Sequence, residues 1–210
     1  MELIDREVLF SVTILILIII CLILIATIKW FNPPFFKALY QLFFSSPFER
    51  VEAFKDGSLK PLSRFILVVN LLINLTVSTE LWRQSVGIPY PLLFTLPIAY
   101  IVWNYLSLWL TKTITGEYKL MKGQKVNLEI NYQFFGLVLI PINLSWYLNP
   151  QYTEVFMAVF AISFGLIVLT RLTKAFLLGI SKHISWYYLI LYLCTFEIWP
   201  LVFVFNKIQG

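Results

Sequence analysis

In this chain of 210 residues the side chain with the clearest claim to chemistry is Glu197, in Cys194-Thr195-Phe196-Glu197-Ile198-Trp199-Pro200. It is the one acidic residue placed deep within an apolar run, where insertion of a charged side chain costs about 2.5–3.5 kcal/mol. Pro200 has no amide proton, so the carbonyl of Phe196 loses its helical partner, and a free carbonyl beside a carboxyl group makes a polar site inside hydrocarbon. A protonated Glu197 could donate to such a carbonyl, or to an asparagine on a neighbouring helix. The candidate asparagines are Asn70 and Asn74, which form a stripe with Ser78 at steps of four, with Glu80 beyond. Asn104, Ser107, Asn131, Gln133, Asn143 and Ser145 add further amides and hydroxyls within apolar segments. Two readings stand: interhelical glue, at about 0.6 kcal/mol per hydrogen bond, or a proton or ion path centred on Glu197.

Other chemistry is hard to assemble from this chain. His183 is the only histidine, and Cys21 and Cys194 lie far apart in apolar runs, so no metal cluster, HExxH or GxSxG pattern forms. The nearest approach to a phosphate-cradling loop is the single Gly123 in Lys122-Gly123-Gln124-Lys125. No catalytic residue, cofactor or metal is expected, and the basic residues are scattered at lipid-headgroup level rather than gathered into a nucleic-acid footprint.

The elements that must hold these residues are set by composition. Hydrophobic residues make up 60% and charged residues only 13%, against about 25% charged in soluble domains, so the chain is read as an all-α membrane protein. Six apolar runs near the length of about 20 residues that spans a bilayer occupy 8–28, 65–81, 92–110, 130–148, 155–170 and 186–205, within a single transmembrane domain over 1–210. The first starts on Glu2, Asp5, Arg6 and Glu7 rather than on basic residues and is longer than the apolar stretch of a signal peptide, so it is expected to stay as an anchor. Thirteen of the sixteen Lys and Arg residues fall in the odd-numbered loops, which places those loops in the cytoplasm and both termini on the periplasmic side. Trp30, Trp82, Trp109, Trp146 and Trp186 fall at span ends, as tryptophan does at lipid–water boundaries. Ala158, Ala161 and Gly165 form a small-residue face that predicts close helix packing.

The largest polar element is the cytoplasmic loop 29–64. Asn32-Pro33-Pro34 stops the first span; then Phe35, Phe36, Leu39, Tyr40 and Phe43 recur at helical spacing, with Lys37, Gln41 and Ser45 opposite, which predicts an interfacial amphipathic helix. Leu172, Phe176 and Ile180 predict a second, shorter one. Between them in sequence, Glu49, Arg50, Glu52, Lys55 and Asp56 form a candidate docking loop for a cytoplasmic or membrane partner.

The final span, Leu191-Tyr192-Leu193-Cys194-Thr195-Phe196-Glu197-Ile198-Trp199-Pro200-Leu201, resembles the last helix of an uncharacterised integral membrane family of Bacteroidetes that carries a domain-of-unknown-function label. Phe196 and Trp199 stand where that family's pattern has leucines. The resemblance implies a Gram-negative inner membrane, draws attention to Glu197 and Pro200, and supplies no activity. Little mass outside the membrane and little catalytic equipment lead to the expectation of a non-enzymatic inner-membrane subunit or scaffold. Its partners would be the lipid bilayer and other envelope proteins, for example the secretion or gliding machinery of that phylum. A small proton- or ion-coupled transporter using Glu197 is the alternative, and a lipid-modifying enzyme comes third.

Overall fold

The computed structural model describes residues 2–46, 60–86, 91–115 and 118–181. Among the described residues six α-helices follow one another: α1 (Glu2–Phe31), α2 (Phe35–Phe44), α3 (Pro61–Val86), α4 (Pro91–Thr115), α5 (Tyr118–Leu148) and α6 (Thr153–Ser181), with a 3-10 turn at Pro150–Tyr152. Among the described residues there is no β-strand. The boundaries follow local chemistry. Pro33 and Pro34 cannot extend the hydrogen-bond ladder of α1, so the amide of Asn32 donates the last bond, to Ile28, and the amide of Phe35 restarts the chain on the carbonyl of Asn32. Both α3 and α4 open on proline, whose missing N–H costs nothing in the first turn. Pro150 separates α5 from α6, and the Thr153 hydroxyl donates to the Pro150 carbonyl at 2.7 Å while accepting from the Trp146 indole at 3.2 Å.

Among the described residues, three stretches are long and apolar enough to cross a membrane, Val12–Phe31, Pro61–Arg83 and Pro150–Leu177. The expected spans at 92–110 and 130–148 are helical and lie within α4 and α5; the expected span 186–205 lies outside the described residues. The helices also overrun the expected spans. At 31 residues α5 is about 46 Å long at 1.5 Å per residue, well beyond a hydrocarbon core of about 30 Å. Leu172, Phe176 and Ile180 do not form a separate interfacial helix: they continue α6 without a break, since nothing from Thr170 to Leu178 interrupts the backbone ladder. The expected amphipathic helix at Phe35 is present as α2, with Phe35, Leu39, Leu42 and Phe43 buried and Tyr40 exposed.

The helices pack with their polar side chains inward and their apolar ones outward. Val12, Ile16, Ile19 and Ile23 of α1 and Val155, Ile162, Leu166 and Leu169 of α6 are exposed, whereas Asn70, Asn74, Asn127, Asn131, Gln133 and Asn143 are buried. This inversion suits a surrounding solvent of lipid. The helices α3 and α5 run parallel, joined by Asn70 to Gly136 near one level and Ser78 to Asn143 near the next. Helix α1 runs antiparallel to α3, Ile14 and Ile18 clustering with Val77 and Leu81 at one end and Ile28 with Leu67 at the other. Helix α6 runs antiparallel to α5, Phe156 against Trp146 and Ala175 against Gln124. Tyr100 of α4 touches Tyr132 of α5 and Phe164 of α6, with ring centroids 6.1 and 5.7 Å apart. Helix α2 starts beside the end of α1 and crosses α5 to reach α6. Phe43 stacks on Phe134 at 3.8 Å, and Lys174 of α6 donates to the carbonyls of Phe43 and Ser45.

Candidate functional site

The polar stripe of α3 meets α5 as a ladder of hydrogen bonds. Three residues four apart share one helix face, so Asn70, Asn74 and Ser78 stand one above another. Asn70 Nδ2 donates to the Gly136 carbonyl at 3.3 Å. Asn74 Nδ2 donates to the Asn70 carbonyl at 2.9 Å, to Asn70 Oδ1 at 3.2 Å, and to Cys21 Sγ of α1 at 3.3 Å. Asn143 Nδ2 donates to the Asn74 carbonyl at 2.9 Å and to Asn74 Oδ1 at 3.1 Å. Ser78 Oγ lies 2.9 Å from the Asn74 carbonyl and 2.8 Å from Asn143 Oδ1, and its single proton serves one of them at a time. The backbones come close enough for this because residue 136 is glycine: a Cβ there would stand 3.2 Å from both Cα and Cβ of Leu71. The ladder therefore ties three helices together, each bond worth about 0.6 kcal/mol, and breaking one side leaves a buried amide costing about 1–3 kcal/mol.

A second polar cluster joins α4, α5 and α6 toward the end where α4 and α6 finish. Arg171 is 6% exposed, and its Nη1 donates to Asn104 Oδ1 at 2.6 Å. Asn104 Nδ2 donates back to the Tyr100 carbonyl at 2.7 Å. On α5, Asn127 donates to the Arg171 carbonyl at 3.2 Å, Gln124 to the Ala175 carbonyl at 3.0 Å, and Asn131 to the Asn127 carbonyl at 2.8 Å. By charge alone Arg171 marks the end of a span. In the structure it lies inside a helix, on the stripe of Phe164, Ile167 and Ala175 that faces the bundle. That three- and four-residue spacing was the signal in the sequence that could have located it.

Glu80 and Glu129 are each paired with basic residues. Arg83 forks onto Glu80 with a closest approach of 2.6 Å, and Glu129 sits 3.5 Å from Arg64 and 3.8 Å from Lys125. Gln133 is different. It is fully buried on α5, and among the described residues neither Nε2 nor Oε1 has a hydrogen-bond partner. Asn131 Oδ1 is likewise unpaired, on a face about 200° round the same helix, so the two do not form one site.

Of the residues expected to act, Asn70 and Asn74 are brought together, with each other and with Cys21, Gly136 and Asn143. Glu197 and Pro200 lie outside the described residues, as do Glu49, Arg50, Glu52, Lys55 and Asp56 of the candidate docking loop. Ala158, Ala161 and Gly165 are exposed, and nothing lies within 4 Å of a Cβ built at Gly165, so among the described residues they are not a packing face. Among the described residues no three His, Cys, Asp or Glu side chains gather to hold a metal ion.

The family described as "Domain of unknown function (DUF4271)" matches residues 14–208, and the chain belongs to it. No curated protein and no solved structure matches.

Proposed function

We propose that this member of an uncharacterised family is a non-enzymatic scaffold subunit of the bacterial inner membrane. In this reading it spans the bilayer six times with both termini in the periplasm and associates with a cell-envelope complex such as the secretion or gliding machinery of Bacteroidetes. One observation carries it: the amides most able to line a path are buried and spend their donors within the bundle, Asn70 on the Gly136 carbonyl, Asn74 on Asn70 and Asn143 on Asn74. Side chains committed to holding helices together suit a rigid platform, whereas a pathway needs polar groups that face a cavity. The topology draws support from the antiparallel course of the helices. It gathers Lys29, Lys60, Lys112, Lys122 and Lys125 at one end of the bundle, the arrangement that the cytoplasmic excess of basic residues requires. The test is affinity purification of the tagged protein at native expression: stoichiometric envelope partners are expected, and recovery of the lone protein overturns the reading.

The second reading is a small proton- or ion-coupled transporter using Glu197 at the proline-interrupted last span. The unpaired, fully buried Gln133 favours it, because a polar group without a protein partner is free to meet a permeating one. A Glu197→Gln variant indistinguishable from wild type in growth and in proton or ion uptake by vesicles removes that case.

A further inference from the structure

The junction of α1 and α2 carries a surface that the scaffold reading does not use. Trp30 is 83% exposed, and Phe31, Tyr40 and Phe44 are exposed with it. Lys37, Tyr40, Gln41 and Phe44 recur at the three- and four-residue spacing of one helix face, and the Tyr40 and Phe44 rings are 4.8 Å apart. The opposite face of α2 is buried on the bundle, and Lys174 and Phe134 hold its far end, so α2 lies as a strap across the helices and turns its aromatic face outward. Aromatic rings exposed at a helix end are typical of the headgroup level of a bilayer.

The charge on this surface has one sign. From Val8 to Phe48 the sequence contains no Asp or Glu, and Lys29 and Lys37 are exposed without a carboxylate partner among the described residues. Lysine on such a surface lays its methylene stem along apolar neighbours and lifts its ammonium to the phosphate level. We infer that the α1–α2 elbow, through Lys29 and Lys37 flanked by Trp30, Tyr40 and Phe44, binds the anionic phospholipid headgroups of the leaflet it faces. Each basic residue near an anionic surface contributes an attraction that together amounts to about a thirtyfold preference at low salt, and salt screens it because both lysines are exposed.

The experiment uses the full chain in neutral detergent, titrated with phosphatidylglycerol or phosphatidylcholine, with thermal unfolding and native mass spectrometry as readouts. Phosphatidylglycerol is expected to raise the Tm more than phosphatidylcholine and to survive as bound lipid. Lys29→Gln/Lys37→Gln is expected to abolish the difference, and Lys29→Arg/Lys37→Arg to keep it. Should the glutamine variant fold poorly, the wild type decides alone, since 0.5 M NaCl is expected to erase the preference. Equal shifts with the two lipids, or a preference that persists in the glutamine variant or in high salt, overturn the inference. Loss of envelope partners from a pull-down would leave it standing, because the observation that carries the scaffold reading, the Asn70, Asn74 and Asn143 ladder, involves no residue of the elbow.

Discussion

Asn143 of α5 donates from one nitrogen to both oxygens that Asn74 of α3 offers, the main-chain carbonyl at 2.9 Å and Oδ1 at 3.1 Å. Removing Asn143 strands Asn74 Oδ1, and removing the Asn74 side chain leaves Asn143 only the main-chain carbonyl, because hydrocarbon supplies no replacement donor or acceptor.

The pair should behave as a unit. Asn74→Leu and Asn143→Leu are each expected to lower stability by about 1–3 kcal/mol, and the double variant by less than their sum. Equilibrium unfolding of the four proteins in mixed micelles measures the coupling, and additivity would deny that the contact exists.

Two glycines separate packing from propensity. Gly136→Ala places a Cβ 3.2 Å from the Leu71 backbone, and is expected to cost about 1–3 kcal/mol as α3 and α5 are forced apart. Gly165→Ala meets nothing within 4 Å and is expected to be neutral or stabilising by up to about 1 kcal/mol. Thermal shift of the two purified variants compares them directly.

Removing the polar end of Gln133 should help. A fully buried amide with no partner carries a desolvation cost of about 1–3 kcal/mol and returns no bond, so Gln133→Leu is expected to raise the Tm. A clear fall in Tm, or loss of ion uptake, would reveal a partner that only the working protein provides.

Lys174 joins α6 to the end of α2, reaching the Phe43 and Ser45 carbonyls and standing 5.4 Å from the Phe43 ring centre. Lys174→Met leaves the terminal carbonyls of α2 without this donor. Amide hydrogen exchange is expected to accelerate by about tenfold in Leu39–Ser45, with little change in α3, a local opening rather than a global one.

The sequence made the ladder half visible. A step of four between Asn70, Asn74 and Ser78 defines one helix face from spacing alone, but the identity of the facing helix depends on tertiary packing. Asn143 therefore read as one amide among several. Gly136 was silent, because a lone glycine in an apolar run carries no mark of close approach until Leu71 is set against it. Arg171 misleads because its charge reads as a span boundary, whereas its helical register places it on the buried stripe. Ala158, Ala161 and Gly165 misled in the opposite sense, since small size permits close packing without compelling it. The amphipathic spacing of α2 was legible because alternation between Phe or Leu and Lys or Gln is a local property.

The parallel alignment of α3 and α5 sets a timetable for synthesis. Asn74 leaves the ribosome 69 residues ahead of Asn143, a delay of roughly 3–14 s at 5–20 residues per second. For that interval the polar stripe of α3 has α1 and its Cys21 thiol, but not its main partner. The nascent chain must therefore shelter α3 within the insertion machinery, or against α1, until α4 has turned back and α5 has followed it in. A ribosome stalled after α4 would leave three buried-type polar side chains facing lipid, so faithful assembly of this small bundle depends on the pace at which it is made.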